Sequence, residues 1–174
     1  MPLAPSAIVA RVMADGDDVV IEHPNRRKAT SKLTRLLVIV LLLASAVLVM
    51  IVTLGGWSAL ESARLFQIVF ILVDLVLAVF VARWSRGVLP MAAGIAVFLG
   101  IFAAVSAPDW FSRDNPGFTD PAIASSVLGL ICVLLIPVQL ALIVFAMQGF
   151  RQEWNVEVER PRRDREPEPE PAPA

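Results

Sequence analysis

The chain has 174 residues, of which 57% are apolar, and its mean hydropathy is +0.71. A soluble domain of this length cannot bury so many apolar side chains, so the composition excludes an ordinary soluble fold. The charge is nearly balanced, with 15 basic and 16 acidic residues, and this gives no indication of nucleic-acid binding. A single cysteine, Cys132, excludes an intrachain disulfide framework.

Residues 1–35 form a polar N-terminal segment that carries six of the basic residues. We expect this segment to be cytoplasmic and mostly irregular, apart from a strand-like run at 17–22. A second run with strand-like alternation, at 154–159, lies near the other end of the chain. Residues 19–21 and 156–158 of these runs are candidates for pairing beneath the membrane.

Four long apolar stretches follow one another along the chain. Lipid offers the backbone no hydrogen-bond partner, and the stretches lack the alternation of barrel strands, so each is predicted to cross the bilayer as a helix. The first has 19 residues. At 1.5 Å per residue it would be about 28 Å long, which matches the hydrocarbon core. The predicted spans are 36–54, 65–82, 87–107 and 122–147.

The first span has one competing interpretation. The basic residues before it and the small residues 44–46 resemble a signal peptide with its cleavage site. However, a signal peptide does not begin its apolar region after so long a leader, and this apolar run continues to Leu54. A retained helix is the favoured interpretation.

The C-terminal tail divides into two parts. Residues 148–165 form a basic juxtamembrane segment, whereas residues 166–174 repeat Glu-Pro and are predicted to be disordered. The predicted fold is thus an all-α integral membrane protein. Its four transmembrane helices form a bundle over 36–147, flanked by short, mostly irregular cytoplasmic tails.

The distribution of Lys and Arg predicts the orientation. Thirteen of these residues lie in the N-terminal segment, in the connection between spans two and three, and in the C-terminal tail, against two in the other connections. Because positive residues favour the cytoplasmic side, both termini are predicted to be cytoplasmic. The preference for Arg over Lys and the abundance of Ala and Val suit a bacterial protein, which indicates the bacterial cell membrane.

Asp74 is the only acidic or basic residue within a predicted span, and it lies near the middle of 65–82. Charge at that depth costs at least about 2.5 kcal/mol, so Asp74 should face the interior of the bundle. Gln67 lies seven residues earlier and on nearly the same helix face. Matching of depth in an antiparallel hairpin predicts that Ser45 pairs with Asp74 and Thr53 with Gln67, and Gln139 is a second candidate partner for Asp74.

Span three carries small residues at every fourth position. This spacing favours close approach of another helix, either within the bundle or from a second protomer, as in GxxxG motifs. The predicted helix-packing seam consists of Ala92, Ala96, Gly100 and Ala104.

No catalytic, metal-binding or cofactor-binding motif is recognisable, so no such residue is predicted and we expect a protein that is not an enzyme. The favoured hypothesis is an accessory, assembly or regulatory component of a membrane complex, with a membrane-protein partner or a second copy of itself. The alternative is a small proton- or cation-coupled transporter or channel that uses Asp74.

Overall fold

The computed structural model describes residues 19–22, 24–61, 63–113 and 121–161. It contains two compact units. Of the described residues, one unit contains 19–22, Pro24 and 156–161, and the other contains those from Asn25 to Asn155. The predicted disordered tail at 166–174 and most of the polar N-terminal segment lie outside the described residues.

The first unit contains a two-stranded antiparallel sheet formed by β1 (Val19–Glu22) and β2 (Val158–Pro161). Ile21 is paired with Glu159. The described part of the chain is therefore not purely helical, and the strand near the C-terminus begins two residues later than the run at 156–158 predicts. The alternating pattern starts at Trp154, but that side chain is fully buried in the larger unit, so only the later residues are available for the strand.

The larger unit consists of helices. A short helix, α1 (Pro24–Arg27), is followed by four long apolar helices, each long enough to cross a membrane. These are α2 (Ala29–Gly55), α3 (Arg64–Ala82), α4 (Leu89–Ser112) and α5 (Ser125–Arg151). The prediction of four membrane-spanning helices is confirmed in length and composition, and the helices indicate a membrane location.

The four long helices do not pack equally against one another. The contact between α4 and α5 is the most extensive, and α2 packs against both α3 and α5. By contrast, α3 and α4 touch at few points. Consequently α3 is held mainly by α2, and a gap separates α3 from α4.

At one end of this unit, two tryptophans and an arginine join the start of α2 to the ends of α3 and α5. The rings of Trp84 and Trp154 meet edge to face with their centres 5.4 Å apart, and the Arg35 guanidinium lies 4.4 Å from the centre of the Trp84 ring. Arg35 also donates a hydrogen bond to the Ala82 carbonyl. We call Arg35, Trp84 and Trp154 the tryptophan clasp; it places the start of α2 beside the ends of α3 and α5.

Trp84 adopts a conformation that usually belongs to glycine. The amide of Ser85 donates to Phe80 O over 3.1 Å, that of Trp84 donates to Val81 O over 3.0 Å, and Trp84 has a φ of 63°. This arrangement is a Schellman motif. At its left-handed position, a residue with a Cβ atom has a conformational free energy about 1–2 kcal/mol higher than glycine. The contacts of the Trp84 ring in the tryptophan clasp offset that cost.

The small residues of the predicted α4 seam differ in their burial within the larger unit. Ala92 and Ala96 are buried and Gly100 is partly buried, whereas Ala104 is exposed and its neighbour Ala103 is buried instead. A four-residue step rotates a helix about 40° beyond a full turn, so the fourth member has turned about 120° away from the first. Beyond Ala96, the buried residues of α4 are three or four positions apart, at Leu99, Ala103, Ala107 and Trp110.

Substitution of the two ends of this series should have different effects. Ala96→Leu places three extra carbon atoms at a buried position and should destabilise the protein by about 1–3 kcal/mol. Ala104→Leu adds the same atoms at an exposed position and should change stability little. The measurement is reversible unfolding in mixed micelles, followed by tryptophan fluorescence. Equal destabilisation by both variants would contradict this account of the α4 face.

Candidate intramembrane polar site

A polar cluster lies between α2, α3 and α5 in the middle of the helices. It consists of Ser45, Asp74 and Gln139, which are 0%, 2% and 1% exposed. The Gln139 amide nitrogen donates a hydrogen bond of 2.8 Å to the Ser45 hydroxyl oxygen. The Ser45 hydroxyl in turn hydrogen-bonds to the Asp74 carboxyl. Ser45 therefore joins the side chains of the other two helices.

Helical periodicity places these residues on the faces that meet. Ser45 lies between Leu42 and Val49 on the buried face of α2, and Asp74 precedes Leu77 and Ala78 on the buried face of α3. Each is three or four residues from its apolar neighbours, so all lie on one side of their helix. Packing of these apolar faces brings the polar groups together at one depth.

Two oxygen atoms of the cluster lack a hydrogen-bond donor. They are Oδ2 of Asp74 and Oε1 of Gln139, both fully buried and without a partner among the described residues. Both oxygens belong to side chains that contact Ser45, Gln139 through its amide nitrogen and Asp74 through its carboxyl group. A buried carbonyl or carboxylate oxygen without a donor is destabilising, so these two atoms distinguish the cluster from an ordinary packing contact.

A second polar contact joins α2 to α3 two turns away from Asp74. The Thr53 hydroxyl oxygen lies 2.7 Å from Oε1 of Gln67 and 2.7 Å from the Val49 carbonyl oxygen. A hydroxyl has one hydrogen, which Thr53 must share between these two acceptors. The structure thus places Gln67 in a pair of its own, separate from the cluster of Ser45, Asp74 and Gln139.

A cavity of about 310 Å³ lies in the gap between α3 and α4, on the side of the cluster where Gln67 lies. Its lining is largely apolar and aromatic, with Gln67 and Ser106 as polar members. Three of its lining residues, Val49, Phe70 and Leu135, stand four residues from Ser45, Asp74 and Gln139 respectively. Those three side chains form a floor that separates the cavity from the polar cluster by about one helical turn.

The cavity was not predictable from the sequence, because it depends on the separation of α3 from α4. The aromatic residues that line it look like any lipid-facing residues when the sequence alone is considered. They are Phe66, Phe70, Phe102 and Trp110.

The chemistry available to the polar cluster is limited to a carboxyl, a hydroxyl and an amide. Within the described parts of the chain, no group of three or more His, Cys, Asp or Glu side chains is placed to hold a metal ion. The cluster can make hydrogen bonds and can hold positive charge against Asp74. Comparisons of the chain with protein-family models, curated proteins and solved structures found no match.

Removal of the Ser45 hydroxyl should uncouple the three helices. Ser45→Ala removes the partner of both Asp74 and Gln139, and we expect it to destabilise the protein by about 0.6–2 kcal/mol, the range for polar contacts between membrane helices. Ser126→Ala, at an exposed position of α5, is the matched control and should have little effect. The measurement is the free energy of unfolding in mixed micelles. A Ser45→Ala variant as stable as the control would contradict the prediction that Ser45 couples the three helices.

Proposed function

We propose that this protein is a non-catalytic component of a membrane complex, in which it assembles with, stabilises or regulates another membrane protein. The observation that supports this proposal best is the gap between α3 and α4. It leaves one side of α3 without a neighbour and contains a cavity with polar groups in its wall.

The residues at this gap are exposed to a degree that suits an interface. Phe66 on α3 is 69% exposed and Phe102 on α4 is 55% exposed, and both line the cavity. Of the four long helices, α3 has the smallest buried share. A membrane helix seated here would cover both phenylalanines and give α3 a second neighbour.

Polar groups in the cavity favour a protein partner over lipid tails. The contact with Thr53 uses only the oxygen of the Gln67 side chain and leaves its two N–H hydrogens for another acceptor. Ser106, on the opposite wall, is partly buried. Lipid tails offer no hydrogen bond to an amide or a hydroxyl, whereas a helix that carries Ser, Thr, Asn or Gln does.

Site-specific photo-crosslinking tests the partner surface. A photoreactive phenylalanine analogue at position 66 or 102 should yield one discrete protein adduct in native membranes. The same analogue at Leu130 or Leu140 of α5, which are 63% and 59% exposed and lie outside the cavity, should yield none. An adduct of twice the chain mass would identify a second copy of the protein as the partner.

The result that contradicts the proposal is equally specific. If positions 66 and 102 react only with lipid, or give the same products as positions 130 and 140, the gap is not a partner surface.

The proposed arrangement in the membrane is a four-helix bundle in a bacterial cell membrane with both termini in the cytoplasm. It is supported by the excess of basic residues in the segments that meet at the tryptophan clasp and in the tails beyond them. The opposite end of the larger unit, where α2 ends and α3 begins, carries Arg64.

Cysteine accessibility tests the orientation. Cys132 is the only cysteine, so Cys132→Ala provides a background in which single cysteines are introduced. Ser58→Cys should react with a membrane-impermeant maleimide in intact cells, and Ser85→Cys should react only after the cytoplasm is opened. The reverse pattern would invert the orientation, and reaction of both from one side would exclude four crossings.

A further inference from the structure

The hydrogen-bond count of the polar cluster shows a shortage of donors. Asp74, when ionised, offers only acceptors, Ser45 provides a single hydrogen, and Gln139 provides two, one of which it donates to Ser45. Oδ2 of Asp74 and Oε1 of Gln139 both remain without a donor. Both unpaired atoms are oxygens in side chains at least 98% buried, so what the cluster lacks is a positively polarised group.

The surrounding helices do not provide that group. The apolar stretches 36–54, 65–82, 89–107 and 125–147 contain no Lys, Arg or His. Apart from Asp74, their only ionisable side chain is that of Cys132, which lies seven residues from Gln139 and so about 10 Å away along α5. On α4, Gly100 lies beside Gln139 and presents no side chain at all.

We propose that Ser45, Asp74 and Gln139 form a binding site for one positive charge, which is held between the Asp74 carboxyl and the Gln139 side-chain oxygen. A proton or a small monovalent cation such as Na⁺ satisfies the same requirement. A proton turns Asp74 into a donor for the Gln139 oxygen, and Na⁺ takes both oxygens as ligands. Either one neutralises the single carboxylate, whereas a divalent cation would leave a net charge in the membrane interior.

This site is separate from the proposed partner surface. The floor of Val49, Phe70 and Leu135 lies between the cavity and the cluster, so a partner in the cavity does not contact Asp74. A variant that loses the charge-binding site should therefore keep its crosslinks from position 66. The two proposals can fail independently.

Thermal unfolding of the purified full-length protein in detergent tests the site. Na⁺ is titrated against N-methylglucamine at constant ionic strength, and the titration is repeated at several pH values. Once the ion exceeds its dissociation constant, the unfolding temperature should rise by about 3–5 °C for each tenfold increase in ion activity. A rise with Na⁺ at fixed pH identifies the metal ion, and a rise with acidity alone identifies the proton.

Variants assign this response to the cluster. Asp74→Asn removes the negative charge and supplies an N–H group for Gln139, so it should stay folded and lose the response. Gln139→Met removes the other oxygen and should weaken the apparent affinity at least tenfold. Thr53→Val is the matched control, because it removes a polar contact between the same two helices without touching the cluster, and it should keep the full response.

Two results would overturn the proposal. One is an unfolding temperature of the wild-type protein that neither Na⁺ nor pH changes. The other is a response that persists undiminished in Asp74→Asn, because the responding group would then lie elsewhere in the chain.

Discussion

The absence of hydrogen-bond partners in lipid is the constraint on which the rest of this structure depends. It obliges the four apolar stretches to form helices, which satisfy their own backbones and leave only side chains to join one helix to another. In such a protein a few polar side chains fix the depth at which the helices meet. Ser45 has the largest share of this task, since it lies on the helix that packs against both α3 and α5 and bonds to a residue of each.

The sequence predicted side-chain contacts best between helices that a short connection forces to be antiparallel neighbours. A short connection makes α2 and α3 antiparallel neighbours, so matched depth was enough to suggest that Thr53 meets Gln67 and that Ser45 lies level with Asp74. The sequence does not determine features that depend on the rotation or the separation of helices. Such features are the exposure of Ala104, the complete burial of Trp154 and the cavity between α3 and α4.

The two ends of the larger unit differ in how firmly the helices are joined. At the tryptophan clasp, aromatic and guanidinium groups connect α2, α3 and α5, and Trp84 has a left-handed backbone conformation. Toward the other end, α3 and α4 separate and leave a cavity. The contacts that join the helices at the tryptophan clasp therefore lie away from the opening.

The polar cluster lies between these two regions, and its composition differs from what stability alone would favour. Asn at position 74 would supply a hydrogen for the Gln139 oxygen at almost no change in volume. The Asp74 carboxyl instead adds a hydrogen-bond acceptor to a cluster in which Oε1 of Gln139 already lacks a donor. The presence of a buried carboxyl with an unpaired oxygen has a physical explanation if a bound positive charge pairs with that oxygen. The residues between the cavity and Asp74 would keep that charge from exchanging with the side chains of a partner.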